Sequence, residues 1–277
     1  MNSALSTLII ALALATHLNL VAADWNYFKR GDDWPAQYPQ CGGLHQSPIA
    51  LKSDAVTSVS GLHLFIYTSG QTIQATPAEN LSKPIFGLFS YVSTRMGQEG
   101  DQLVFGCDNI HIHAPSEHTI NGQVFDAELH MVHKLFPQYE DKTPLRYLVI
   151  SLPLDASSDI ENPLLAHRIF HSTEKSISVN LSRTILSLFD DQKYFYIYDG
   201  SLTTPDCQET AEWIVFDTPL NISKNQLAEL NKHFKDNQDF AGGNGNNRRL
   251  QALNGRTVWR IEYPIWIDKS PFTAAMI

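Results

Sequence analysis

Between Asn109 and His133, five of the chain's eleven histidines fall within 25 residues. The run reads Asn109-Ile110-His111-Ile112-His113-Ala114-Pro115-Ser116-Glu117-His118, and later Glu128-Leu129-His130-Met131-Val132-His133. An extended backbone sends side chains i and i+2 to one face, so His111 and His113 project together while Ile110 and Ile112 face the other side. Two imidazoles on one face are half a metal site. The second run puts His130 on a face with Glu128 and Val132, and an antiparallel neighbour can bring that ring to the first pair. Three neutral imidazoles leave the fourth position of a tetrahedral ion open, as in catalytic rather than structural zinc sites. A single histidine on a half-exposed sheet is more commonly satisfied by one hydrogen bond. The outer residues favour metal here, because ligating histidines hand their second N–H to a carboxylate or carbonyl, and Glu128 and Asn109 share faces with His130 and His111. No His-Glu-x-x-His helix is present, so zincin-type proteolysis has no support.

The elements that must position these rings are short β-rich runs separated by turn residues: Leu62 to Tyr67, Leu103 to Phe105, Ile110 to Ile112, Glu128 to His133, Leu145 to Leu152, Tyr194 to Tyr198, Ala211 to Phe216 and Thr257 to Ile261. Helical patterns are limited to Pro163 to Phe170 and Lys224 to Phe234, the latter opened by Ser223 with Gln226 three residues on. Both helices are expected on the surface, covering sheet edges. No composition break, repeat or linker divides 24–277, and Gly242-Gly243-Asn244-Gly245-Asn246-Asn247 reads as a flexible loop. A single, mostly β domain follows.

The chain has 277 residues, 43% apolar and 18% charged, enough for a sizeable core and too balanced for disorder. A net charge of -9 without any Lys/Arg run excludes a phosphate-backbone partner, so no nucleic acid is expected. Residues 1–23 read as a secretory signal peptide, apolar around Leu8 to Leu14 and ending on Val21-Ala22-Ala23, with an uncleaved anchor as the alternative. Nothing in 24–277 is long and apolar enough to span a membrane, and the tail from Pro271 to Ile277 is too short for a lipid-anchor signal. Three cysteines in a secreted chain read as one disulfide plus a leftover. Of the three pairs, Cys41 with Cys207 is preferred, because Cys107 follows Leu103-Val104-Phe105, where a lone buried thiol is ordinary packing. An intermolecular bridge through Cys107 is the alternative. Sequons at Asn80, Asn180 and Asn221 are consistent with a glycosylating pathway.

The order of motifs resembles an α-class carbonic anhydrase of the secreted type. His-x-His, Pro-Ser-Glu-His-Thr and Ala-Glu-Leu-His-x-Val-His are followed by Gly200-Ser201-Leu202-Thr203-Thr204-Pro205 and Trp213-Ile214-Val215. The likeness begins at Asp24-Trp25-Asn26-Tyr27 and Trp34, passes Cys41-Gly42-Gly43 and Gln46-Ser47-Pro48-Ile49, and ends with Asn246-x-Arg248, Gln251 and Leu253-Asn254-Gly255-Arg256. It implies a large, mainly antiparallel twisted sheet with a few short surface helices, and Zn2+ at the bottom of a cone-shaped cleft. The implied reaction is reversible hydration of carbon dioxide to bicarbonate and a proton.

Residue by residue, the resemblance implies that His111, His113 and His130 bind zinc, with Asn109 and Glu128 as outer partners. Thr203 would hold the attacking hydroxide through its side-chain oxygen while passing its own proton to Glu117, and Thr204 would lie beside bicarbonate. The apolar wall for carbon dioxide falls on Val132, Val149, Leu202 and Trp213, although from sequence alone plain core packing is the stronger reading of Val132, Val149 and Trp213. Tyr27 and His118 match residues that order the water chain and brace the site. The family's extracellular disulfide matches Cys41 and Cys207.

Two departures stand out. Where the fastest members carry a proton-shuttling histidine this chain has Asn80-Leu81-Ser82, with His63 well upstream and His45 beside the Gln-Ser-Pro motif. Asp206 stands where a second proline often follows Thr-Thr-Pro. The rival within the fold is a catalytically silent extracellular binding or matrix protein. A rival of another class, an acidic calcium- or mineral-binding protein, lacks the dense Asp/Glu run it would need.

Overall fold

Two neighbouring strands carry the histidines, and their alternation decides which face each ring takes. The computed structural model describes residues 25–54, 64–68, 73–75, 83–84, 88–93, 102–166, 177–179, 182–232, 234–262 and 266–267. In chain order the first strands are β1 (Ala50–Leu51), β2 (Leu64–Thr68), β3 (Ile73–Ala75), β4 (Lys83–Pro84) and β5 (Leu88–Ser93). The long central strands follow as β6 (Gln102–His113), β7 (Thr119–Ile120), β8 (Ala127–Leu135) and β9 (Tyr147–Ser158). Then come β10 (Ile177–Val179), β11 (Tyr194–Gly200), β12 (Ala211–Phe216), β13 (Leu220–Ser223), β14 (Trp259–Glu262) and β15 (Trp266–Ile267). Among the described residues one eleven-stranded sheet dominates, ordered β14-β11-β12-β9-β8-β6-β5-β2-β15, with β13 beside β9 and β4 beside β6. Most neighbours are antiparallel, while β12 and β13 run parallel to β9 and β15 to β2. The expected large, mainly antiparallel sheet is therefore present as a mixed sheet.

Alternation sorts the central strands into two faces. One buries Ile110, Ile112, Leu129, Met131, Ile150, Leu152, Ile197 and Ile214 in the larger core. The other carries Val132, Val149, Trp213, Val215, Tyr196 and Tyr198, packed with Ile49, Leu51, Ile120 and Phe125. Register aligns Asn109, Val132, Val149, Trp213 and Tyr198 as one row across five strands, and His111, His130, Ser151, Val215 and Tyr196 as the next. The site is thus built on paired strands at the centre of the sheet.

Several boundaries differ from the sequence reading. The runs Leu103 to Phe105 and Ile110 to Ile112 are one strand, β6, interrupted by a bulge between Cys107 and Asn109 that breaks the period-2 pattern. Polar Ser and Asp residues at the end of β9 concealed its extension to Ser158. The helix α1 spans Pro163–Ala166, and positions 167–170 lie outside the described residues. A further helix, α2 (Ser182–Ser187), had no clear periodic signal. The last helix, α3 (Lys224–Asn231), ends before Phe234. Its capping box matches the sequence signal: Ser223 Oγ accepts from the Gln226 N–H, and Gln226 Oε1 accepts from the Ser223 N–H.

The Cys41–Cys207 disulfide is formed across 166 residues of chain, a loop for which chain entropy gives at most about 5 kcal/mol. Cys107 is free and half-buried, and burial pushes its thiol pKa far up, which keeps it protonated and unreactive.

On the core side of β8, His133 is fully buried beside the Leu148 carbonyl, and burial lowers its pKa from 6.5 to about 4. As pH falls below 6.5 the unfolded chain takes a proton that the folded chain refuses until about pH 4. Stability should fall through that window, with His133 accounting for about 3 kcal/mol. Urea unfolding at a series of pH values should therefore give a flatter profile for His133→Gln between pH 6.5 and 4 than for the unsubstituted chain. Parallel profiles would contradict this.

Candidate metal centre

Pairing of β6 with β8 sets His111 opposite His130 and His113 opposite Glu128. One nitrogen from each of His111, His113 and His130 lies within 4.8 Å of the others. Each ring has its other nitrogen engaged. His111 Nδ1 meets Asn109 Oδ1 at 2.7 Å, His113 Nδ1 meets the Asn246 carbonyl at 2.7 Å, and His130 Nε2 meets Glu128 Oε1 at 2.7 Å. All three partners are acceptors, so these ring nitrogens must carry the protons. The lone pairs then fall on His111 Nε2, His113 Nε2 and His130 Nδ1. His113 Nε2 is buried without any hydrogen-bond partner, an arrangement unfavourable unless a ligand takes the lone pair. The three-imidazole set, open on one side, is the donor set of catalytic zinc. Burial lowers the pKa of all three rings, that of His113 to about 4, which keeps them neutral near pH 7.

Behind the rings, Glu128 gathers five hydrogen bonds. Its Oε1 accepts from His118 Nδ1 at 2.6 Å, from His130 Nε2 and from Ser151 Oγ at 2.6 Å. Its Oε2 accepts the backbone N–H groups of Glu117 and His118, both at 2.8 Å. Burial alone would raise the Glu128 pKa, but the electrostatic attraction and hydrogen bonds of the His118 and His130 ring N–H groups hold it well below the carboxylate range. Although His118, Glu128 and His130 also cluster, their facing atoms are already hydrogen-bonded to one another, so this group is a brace and not a second metal site. His118 Nε2 continues the network to Tyr198 Oη at 2.7 Å, and Tyr198 Oη to Ser47 Oγ at 2.9 Å.

A cavity of ≈ 210 Å³ opens on the metal-facing side. Its lining includes His111, His130, Asn109, Val132, Val149, Leu202, Thr203, Thr204 and Trp213. Trp213 is fixed by its indole N–H donating to the Ser201 carbonyl at 2.9 Å. Glu117 is buried, and burial raises its pKa to about 7. Its Oε1 accepts the Arg248 backbone N–H at 2.7 Å, while Oε2 has no hydrogen-bond partner, and the adjacent Thr203 hydroxyl acts to lower the pKa. Tyr27 lies deeper, in an aromatic cluster with Trp25, Trp34 and Phe240. Burial, with Glu117 nearby, raises its phenol pKa well above 10. The turn at Asp206 is retained, with the Cys207 N–H donating to the Thr204 carbonyl at 2.8 Å. Asn80, Asn180 and the stretch 80–82 lie outside the described residues, whereas Asn221 is exposed on β13.

The sequence reading gave no role to five residues of the site. Asn246 supplies the acceptor for His113, and its side chain also clamps the Ala114 N–H and the Ile112 carbonyl. Gly245 makes that approach possible, since a Cβ there would lie 1.8 Å from the Ala114 carbonyl oxygen. Arg248 holds Glu117, and its buried guanidinium bonds Gln46, Ser47 and Cys41. Asn246-x-Arg248 was part of the resemblance, so its signal was available without its meaning. Ser151 could have been found from register, being two residues after Val149 and opposite His130. Asp108 had no such signal.

Residues 29–262 match the family model described as eukaryotic-type carbonic anhydrase. Carbonic anhydrase 6 of Canis lupus familiaris is 30% identical over 90% of this chain and 85% of its own length. Dioscorin DB3L of Dioscorea polystachya is 32% identical over 85% of each chain. Among solved structures, an alpha-carbonic anhydrase from Thermovibrio ammonificans in complex with the inhibitor sulfanilamide is 25% identical, with a TM-score of 0.65 over 86% of this chain and 99% of that one.

Proposed function

Because the chain belongs to the eukaryotic-type carbonic anhydrase family, we propose that His111, His113 and His130 are the zinc ligands with which it hydrates carbon dioxide reversibly to bicarbonate. The observation that carries this reading is the set of three converging imidazoles, each with its far nitrogen held by an acceptor, the near nitrogen of His113 being buried with no partner. These three rings would hold zinc, which when bound would supply hydroxide near neutral pH by lowering the pKa of water, behaviour for which carbonic anhydrases are the type example.

The chain's own groups do the rest. Glu117 Oε2, with no other partner, is the acceptor for the Thr203 hydroxyl proton, and a dication held by the rings favours its ionised form. Once Thr203 donates to Glu117, its oxygen can only accept from the nucleophile, and that fixes the direction of the nucleophile's lone pair. Thr204 sits where a bicarbonate oxygen would be met, while Val132, Val149, Leu202 and Trp213 offer carbon dioxide an apolar wall that gives an anionic product little to hold. Tyr27 and His118 support the site from behind.

Among the described residues no histidine lines the cavity beyond His111 and His130, and His45 is instead exposed, its backbone N–H donating to Glu209. Proton export then depends on buffer. Stopped-flow hydration by the zinc-loaded protein should rise several-fold as imidazole is added at constant pH. Hydration independent of buffer would contradict this dependence, and absence of hydration at any buffer concentration would contradict the enzymatic reading itself.

The apolar start at 1–23 and the disulfide, which belongs to an oxidising compartment, support secretion. No helix among the described residues is long and apolar enough to cross a membrane. Asn221, exposed within its sequon, is the described site at which a glycan would attach.

A further inference from the structure

The bulge in β6 changes what faces the metal centre. Cys107 pairs with His133 and Asn109 with Val132, so Asp108 is the extra residue with no partner across the ladder. On the core side Cys107 is followed next by Ile110, and both Asp108 and Asn109 line the cleft. Period-2 alternation would have sent Asp108 to the opposite face. Its carboxylate is held at both oxygens: Lys134 Nζ lies 2.7 Å from Oδ1, and Asn109 Nδ2 donates to Oδ2 at 3.0 Å. Asn109 Oδ1 in turn meets His111 Nδ1 at 2.7 Å.

An asparagine amide fits a site almost equally well either way up, and its orientation is decided by its neighbours. An ionised carboxylate only accepts, so Asp108 admits only the amide's N–H2 side. We propose that Asp108, anchored by Lys134, is a positioning residue for the metal centre: it orients the Asn109 amide so that the oxygen, not the amino group, faces His111. His111 is thereby locked with its proton on Nδ1, leaving the Nε2 lone pair for the metal. Without Asp108 the amide can turn and donate to Nδ1, which moves the ring proton to Nε2, the atom zinc requires. The Asp108–Lys134 pair is itself well exposed and adds little to stability, so its effect lies in direction. This inference rests on the zinc reading above and concerns only how firmly one ligand is held.

The test is the rate of zinc loss to a chelator from the purified protein, compared with Asp108→Ala, Asn109→Ala and the double variant. Outer partners of metal ligands typically contribute 10–100-fold, so Asp108→Ala is expected to speed zinc loss about 10-fold. In the Asn109→Ala background it should add nothing, because no amide remains to be oriented. Nitrogen-15 NMR of the metal-free protein should show His111 protonated on Nδ1 in the unsubstituted chain and shifted toward Nε2 in Asp108→Ala. An unchanged rate, or an equal acceleration in the Asn109→Ala background, would overturn the proposal. If the unsubstituted chain takes up no zinc, the zinc reading fails by itself, and the metal-free NMR comparison still decides the role of Asp108.

Discussion

His130→Ala is expected to leave the folded protein with little zinc and little hydration activity. His130 supplies one of three lone pairs, and its other nitrogen is one of five donors on Glu128. Removing the ring therefore acts twice. Zinc loses a ligand, and a buried carboxylate loses one of the hydrogen bonds that help hold it ionised. The loss of zinc affinity should exceed the roughly 100-fold upper range seen for removing an outer partner. Metal content by elemental analysis and hydration by stopped flow should fall together. Retention of stoichiometric zinc by this variant would show that another residue completes the site.

Glu117→Gln is expected to separate the two. Its zinc should remain at one per chain while hydration falls about 10²–10³-fold, the range for removing one preorganised polar contact in an active site. A glutamine can still accept the Arg248 N–H at Oε1, so the fold around it is preserved. At the Oε2 position it presents an amino group toward the Thr203 hydroxyl, however, and two donors then face each other. Thr203 must turn its proton away from residue 117, which is where the nucleophile has to be held. Stopped-flow hydration with zinc measured in the same sample checks this. A variant with full zinc and full activity would remove Glu117 and Thr203 from the account.

Much of this site could be read in the residues themselves because sheet geometry is periodic. Once β6 and β8 are extended, parity alone puts His111 with His113 and His130 with Glu128, and antiparallel pairing brings the two sets together. The capping box at Ser223 and Gln226 was similarly local, and both bonds form. What parity could not give was anything that depends on a break in the period or on chain arriving from far away. Asp108 reaches the cleft only because of a bulge. Asn246 and Arg248 arrive more than 100 positions later in the chain, with Gly245 allowing a backbone approach that no periodicity announces. Ser151 lay between these cases, predictable from parity on β9 but only once the register of β8 with β9 was known. The resemblance supplied roles for Thr203 and Glu117, and the bare Oε2 of Glu117 supplies a physical reason for them.

The polar groups buried behind the rings are hydrogen-bonded to one another. Glu128, His118, Ser151, Tyr198 and Ser47 satisfy one another in one connected network, and the nitrogen left over at His113 Nε2 is the one that points to metal.

The most direct measurement is carbon dioxide hydration by stopped flow on a single preparation, first as purified, then after removing zinc with a chelator, and again after adding zinc back, with metal content determined at each stage. One zinc per chain, hydration lost with the metal and restored with it in proportion, is the predicted result. Stoichiometric zinc without hydration would contradict the account and leave a protein that has kept the metal centre for binding alone.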